Sequence, residues 1–157
     1  MRQKIRGLGA LKAIVAKAKS EGKKVVFTNG CFDLLHRGHV HLLREAKKLG
    51  DLLIVGLNSD QSVKAIKGSN RPIFSETDRA ELIAAMEMVD YVILFGEPDP
   101  HQLIQELKPD VLVKGDDWSK ESIVGADIVE AAGGTVAAIA YLGGYSTTEI
   151  IERMRKR

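Results

Sequence analysis

Val25-Val26-Phe27-Thr28 runs without a break into Asn29-Gly30-Cys31-Phe32-Asp33-Leu34-Leu35-His36-Arg37-Gly38-His39. The opening residues are the β-branched and aromatic kind that fill a buried parallel strand, and a helical stretch begins at Gly38, so the segment reads as strand, loop and helix. Gly30 lets the backbone leave the strand closely. Gly38 stands where the helix starts, so free amides and the positive dipole end are available to phosphate oxygens. His36 and His39 project from the same side of that first turn, where two imidazoles can donate to one phosphate.

The same alternation continues outward. Strands are expected at Val25 to Thr28, Leu52 to Leu57, Tyr91 to Phe95, Val111 to Lys114 and Thr135 to Tyr141. Helices fill the gaps, at Leu8 to Ser20, Gly38 to Leu49, Asp60 to Ile66, Glu76 to Met88, Pro100 to Leu107, Lys120 to Ala132 and Thr147 to Arg155. Ser75 with Asp78, and Ser146 with Glu149, have capping spacing, and Gly22, Gly50 and Gly133 are placed to end helices in the left-handed conformation. This order predicts a Rossmann-like, five-stranded parallel α/β sheet with helices on both faces and strand order 3-2-1-4-5. The loops after the first and fourth strands then face one pocket at the carboxyl edge.

Composition narrows the partners. At 157 residues the chain suits a single domain, 1–157, with an ordinary core. Cys31 is the only cysteine, which excludes an internal disulfide or a zinc ribbon and favours the reducing cytoplasm. Lys12, Lys17 and Lys19 interrupt any signal or membrane run near the start. A net charge of +2 points to neither nucleic acid nor a membrane. Arg153, Arg155, Lys156 and Arg157 close a predicted helix, where cations favour the dipole's negative end. No Walker loop and no GxGxxG fingerprint is present.

Two other chemistries fit parts of the motif. His36, His39 and His41 would make a metal site, but no carboxylate at ligand spacing completes it. Cys31 would serve as a nucleophile only with a base or a lowered thiol pKa, for which the sequence gives no sign.

Gly30-Cys31-Phe32-Asp33 followed by His36-Arg37-Gly38-His39 resembles the HxGH signature of the cytidylyltransferase-like nucleotidyltransferases. Further similarity runs through Asn58-Ser59-Asp60, Lys67-Gly68 with Arg71-Pro72, Arg79, Val89-Asp90, Lys108-Pro109-Asp110, Val113-Lys114-Gly115 and Tyr145-Ser146-Thr147-Thr148. Within the family these are most similar to the heptose 1-phosphate adenylyltransferases, which make ADP-heptose for lipopolysaccharide cores. Gly115 to Trp118 resembles instead the glycerol-phosphate cytidylyltransferases. Many relatives carry a fused sugar kinase; here the kinase is expected to be a separate protein. A homodimer is what the resemblance implies.

Such chemistry needs no general base, because the attacking sugar-phosphate oxygen is already ionised. What it needs is charge stabilisation as pyrophosphate leaves. His36 and His39 are therefore expected at the triphosphate and Lys114 at developing phosphate charge. Nucleotide contacts are expected from Asn29, Gly30, Cys31, Phe32 and Asp33, from Asn58 and Asp116, and from Gly144, Tyr145, Ser146, Thr147 and Thr148. Lys67, Arg71 and Arg79 are candidates for the acceptor phosphate, with plain solvation as the alternative for each. Trp118 either stacks on the base or fills a groove. Magnesium is expected to arrive with ATP rather than in a protein cage, with Asp33 or Asp116 at most an outer partner. A module that binds nucleotide without turnover is the contrasting reading.

Overall fold

The computed structural model describes residues 2–115 and 122–156. Five parallel strands, β1 (Val25–Gly30), β2 (Leu52–Asn58), β3 (Tyr91–Phe95), β4 (Val111–Gly115) and β5 (Thr135–Ile139), pair in the order β3-β2-β1-β4-β5. The helices are α1 (Leu8–Ser20), α2 (Arg37–Lys47), α3 (Asp60–Lys67), α4 (Glu76–Ala84), α5 (His101–Leu107), α6 (Ala126–Ala131) and α7 (Thr147–Arg155).

Strand side chains alternate between two cores. Val25 and Phe27 of β1, Ile54 of β2 and Leu112 of β4 pack with Leu11 and Val15 of α1, Leu103 and Ile104 of α5, and Val129 of α6. Val26, Leu53, Val55 and Leu57 face the other way, onto Leu43 of α2 and Ile83 of α4. Burial on both faces is why these strands read as unbroken apolar runs. Each such side chain contributes about 1.5–3 kcal/mol.

Three aspartates set the register at the amino edge of the sheet. Asp51, just before β2, accepts from the Lys24 amide at 2.7 Å. Asp90, just before β3, accepts from the Leu53 amide at 2.7 Å and from Lys47 Nζ at 2.6 Å. Asp110, just before β4, accepts from the Val25 amide at 2.8 Å. Each carboxylate thus ties the entry of one strand to its neighbour, with charge-assisted hydrogen bonds stronger than neutral ones.

The element bounds differ from expectation at several ends. α2 stops at Lys47 and β5 at Ile139. α4 stops at Ala84 rather than Met88: the Met86 and Val89 amides bond three residues back, to Ile83 and Met86, and Lys4 Nζ donates to the carbonyls of Met86 (3.1 Å) and Val89 (2.7 Å) as the chain turns into β3. α6 begins at Ala126, behind Gly125 at φ +86°, a backbone that cannot continue a helix; residues 120 and 121 of the expected helix lie outside the described residues. Gly22 and Gly133 end their helices at φ +73° and +82°, as expected. Gly50 does not: its constraint is space, since a Cβ there would meet Val26 Cγ2 at 2.7 Å and the Lys24 carbonyl at 2.8 Å. A segment before α1 also joins the sheet edge, with Ile5 bridging Val92 in parallel and the Arg6 amide donating to the Val92 carbonyl at 2.9 Å. Among the described residues no helix is long and apolar enough to cross a membrane.

Candidate active site

A cavity of about 480 Å³ opens at the carboxyl edge, where β1 and β4 are neighbours and the strand order reverses. Thr28 Oγ1 donates to the Val113 carbonyl at 2.9 Å and joins the two strands at its floor. Phe32 then takes φ +45°, an uncommon backbone for a bulky residue, and is 4% exposed. Its ring lies under Gly30, where a Cβ would be 3.1 Å from Phe32 Cε2, and against His39 at 5.1 Å between centroids. That packing fixes where α2 begins.

His36 caps α2 with its own ring: Nδ1 accepts from the Gly38 amide at 3.1 Å, and its carbonyl accepts from the His39 and Val40 amides at 3.0 and 3.3 Å. The amide of Gly38 is therefore already taken, which corrects the expectation that it meets a phosphate. That leaves the two imidazole rings as the candidate donors of this turn. His36 and His39 stack at 3.8 Å with an interplanar angle of 23°. Burial lowers the pKa of His36, and burial followed by the charge of His36 lowers that of His39 to about 4, so both are neutral near pH 7. With Nδ1 of His36 accepting, its proton sits on Nε2. Gly38 leaves room for this arrangement, since a Cβ would come within 2.9 Å of the His36 ring and 3.3 Å of Tyr145 Cβ.

Next to Tyr145, Ser146 caps α7 by accepting from the Glu149 amide at 3.1 Å. The first-turn amides of Thr147 and Thr148 lack carbonyl partners within the helix by its geometry. Tyr145, Ser146, Thr147 and Thr148 line the cavity; Gly144, at φ +80°, turns the chain ahead of them and is not a lining residue. The Arg37 guanidinium lies 6.0 Å from the Tyr145 ring centroid. Lys114 Nζ reaches the Asn29 carbonyl at 3.5 Å, and both residues line the cavity.

Asp33 is 1% exposed, and its carboxylate is spent on the loop ahead of α4. It accepts from Arg71 Nε at 2.6 Å, from the Ile73 amide at 2.7 and 2.9 Å, and from the Phe74 amide at 3.0 Å. This corrects its expected part as an outer magnesium partner. Arg79 is a second correction. It is 0% exposed, and its guanidinium donates to the carbonyls of Phe74 (3.0 Å), Cys31 (2.7 Å) and Asn58 (2.8 Å) and to Asp60 Oδ1 (2.7 Å). Those partners leave it holding loops together, with no route to an acceptor phosphate. Lys67 and Arg71 do line the cavity.

Burial pushes the Cys31 thiol up, against a smaller opposing pull from Lys67, Arg79 and Arg71, so Cys31 lines the cavity as a thiol rather than an activated nucleophile. Among the described residues no group of three or more His, Cys, Asp or Glu is placed to hold a metal, and the histidine trio is not one. Asp116 and Trp118 lie outside the described residues.

The cavity also includes residues that the sequence left unmarked. Asp99 stands beyond β3, at the carboxyl end of that strand, one residue ahead of the helix expected from Pro100. Tyr141 read as strand; it lies over Gly115 so closely that a Cβ there would come within 2.6 Å of the ring.

A doubly wound parallel sheet whose switch-point cavity is lined by a histidine pair and by a second helix start defines a nucleotide-handling enzyme. A family model described as Cytidylyltransferase-like matches residues 27–153, and the chain belongs to that family and is a nucleotidyltransferase. It is 53% identical over 152 residues to the protein named "Bifunctional protein HldE" of Geotalea uraniireducens (strain Rf4), covering 97% of this chain and 31% of that one. The chain therefore spans about a third of the length of such curated relatives. A solved structure described as the lipopolysaccharide core biosynthesis protein from Thermoplasma volcanium GSS1 is 35% identical, with a TM-score of 0.60 over 77% of this chain and 98% of that one. Pantoate-beta-alanine ligase from Francisella tularensis, solved with beta-gamma ATP and beta-alanine, shares the fold at 16% identity, with a TM-score of 0.62 over 98% of this chain and 78% of that one.

Proposed function

We propose that the chain transfers AMP from ATP to D-glycero-beta-D-manno-heptose 1-phosphate, giving ADP-heptose and pyrophosphate for lipopolysaccharide core synthesis. The observation that carries this reading is the stacked, neutral pair His36 and His39 at the start of α2, in one cavity with the capped start of α7. The motif resemblance supports the heptose acceptor, as does the likeness to the lipopolysaccharide core biosynthesis protein of Thermoplasma volcanium.

An ionised oxygen of the sugar phosphate attacks the α-phosphorus, the bond from that phosphorus to the β-bridging oxygen breaks, and the electron pair leaves with pyrophosphate. The imidazole N–H groups of His36 and His39 donate to triphosphate oxygens, and the Thr147 and Thr148 amides add a second set of donors. Lys114 faces the charge that develops between the reacting groups. Lys67 and Arg71 take the acceptor phosphate. The nucleotide lies along Asn29, Gly30, Cys31, Phe32 and Tyr145. Magnesium would arrive bound to ATP and would offset negative charge as pyrophosphate leaves. The same proposal includes a cytoplasmic site of action and a homodimer.

Pyrophosphate release is the test, crossing ATP and CTP with heptose 1-phosphate, glycerol 3-phosphate and flavin mononucleotide. Release with ATP plus the heptose is expected. Release with CTP and glycerol 3-phosphate alone would replace the reading with a cytidylyltransferase, and no release with any pair would leave a binding module.

A further inference from the structure

The cavity wall at the carboxyl ends of β2 and β3 carries acceptors instead of cations. Asn58 closes β2 opposite Phe95 of β3 and is 4% exposed. Its Nδ2 donates to Ser62 Oγ at 2.9 Å, and the Ser62 hydroxyl donates to the Glu97 carbonyl at 3.1 Å. A hydroxyl has one proton. With that proton on Glu97, Ser62 can only accept from Asn58, so the amide nitrogen is fixed toward Ser62 and Oδ1 faces away from it. Asn58 lines the cavity, and with Nδ2 committed to Ser62 its Oδ1 is the amide atom left to serve as an acceptor there.

Two residues beyond Glu97, Asp99 lines the same cavity and is exposed. Its Oδ1 accepts from the His101 amide at 2.9 Å, which orients the carboxylate. A carboxylate repels a phosphorylated acceptor unless donor groups lie between them. Hydroxyl groups are such donors.

We infer that Asn58 Oδ1 and the Asp99 carboxylate form a hydroxyl-reading subsite for the polyol part of the acceptor, beside the Lys67 and Arg71 cations that take its phosphate. This rests on the proposed transfer to a sugar phosphate and moves Asn58 from the nucleotide to the acceptor. The subsite favours a polyhydroxylated phosphate over a bare alkyl phosphate, because an acceptor without hydroxyls leaves both oxygens unmatched and the repulsion unrelieved.

Steady-state pyrophosphate release with ATP and heptose 1-phosphate is measured on the full chain, on Asp99→Asn and on Asn58→Ala, with thermal melts alongside. Asp99→Asn keeps an oxygen for the His101 amide, so it separates that local bond from recognition and decides the question if Asn58→Ala does not fold. The KM for the acceptor is expected to rise about tenfold while the KM for ATP stays within about twofold. An unchanged acceptor KM in the folded variants overturns the subsite and leaves adenylyl transfer standing. Wild-type protein that ignores sugar phosphates overturns the transfer reading, and the subsite falls with it.

Discussion

Asp33 Oδ2 accepts from Arg71 Nε at 2.6 Å, and neither oxygen of that carboxylate reaches solvent, so the loop after β1 holds the loop ahead of α4. One edge of the guanidinium is fixed by this bond. The other edge is left toward the cavity that Arg71 lines.

Asp33→Asn is therefore expected to lower stability by about 2–3 kcal/mol, since it leaves Arg71, 14% exposed, without its charge partner. The amides of Ile73 and Phe74 should exchange faster with deuterium than in the parent. Acceptor KM should rise more than ATP KM. Unchanged exchange at both amides would count against the tether.

Gly38→Ala adds a methyl group where the His36 ring already lies within 2.9 Å. The ring must turn, which breaks its hydrogen bond to the amide of residue 38 and its stack on His39. The variant should fold with a near-normal melt and lose about a hundredfold in kcat. Retained kcat with a well-formed helix would show that the stacked geometry is dispensable.

The histidine pair also sets a pH dependence. Burial and the neighbouring His36 lower His39 from the ordinary 6.5 to about 4, so over that interval the unfolded chain binds a proton that the native chain refuses. Stability is complete above about 6.5 and falls as the pH drops toward 4, by up to about 3 kcal/mol. His36 is shifted in the same direction by burial. A bound triphosphate places negative charge beside the rings and should move both values upward. NMR titration of the ring protons with and without a nonhydrolysable ATP analogue measures this; a free-state His39 value at or above 6.5 would contradict it.

Asp90→Ala removes the acceptor for the Leu53 amide and for Lys47 Nζ at the edge remote from the cavity. A loss of about 1–3 kcal/mol is expected in urea unfolding, with kcat and both KM values unaltered. A change in either KM without a change in stability would mean that this edge communicates with the site.

Much of the scaffold was legible because its signals are local. Strands buried on both faces are apolar throughout, and the caps at Ser75 and Ser146 need only a hydroxyl and a first-turn amide. The histidine pair was legible for the same reason. Arg79 was not, because its partners Cys31, Asn58 with Asp60, and Phe74 come from three separate places in the chain. One signal was available: Arg79 falls in the same helical stripe as Ala80, Ile83 and Ala84, all buried, and a cation on an apolar stripe must be fully paired. Asp33 gave no such sign, since nothing near it in sequence marks a carboxylate that will collect amides from residues 73 and 74. The role of Gly50 was hidden as well, because a glycine's need for room is set by the neighbouring strand and is invisible from its own surroundings.

The carboxylates of Asp51, Asp90 and Asp110 anchor strand alignment at the pole opposite the cavity. Alignment secured there does not depend on what the distal loops contain. Drift or engineering could thus rewrite the rim, exchanging one base or acceptor for another, while the beams beneath kept their places. A scaffold divided in this way can diversify its chemistry without first having to relearn how to fold.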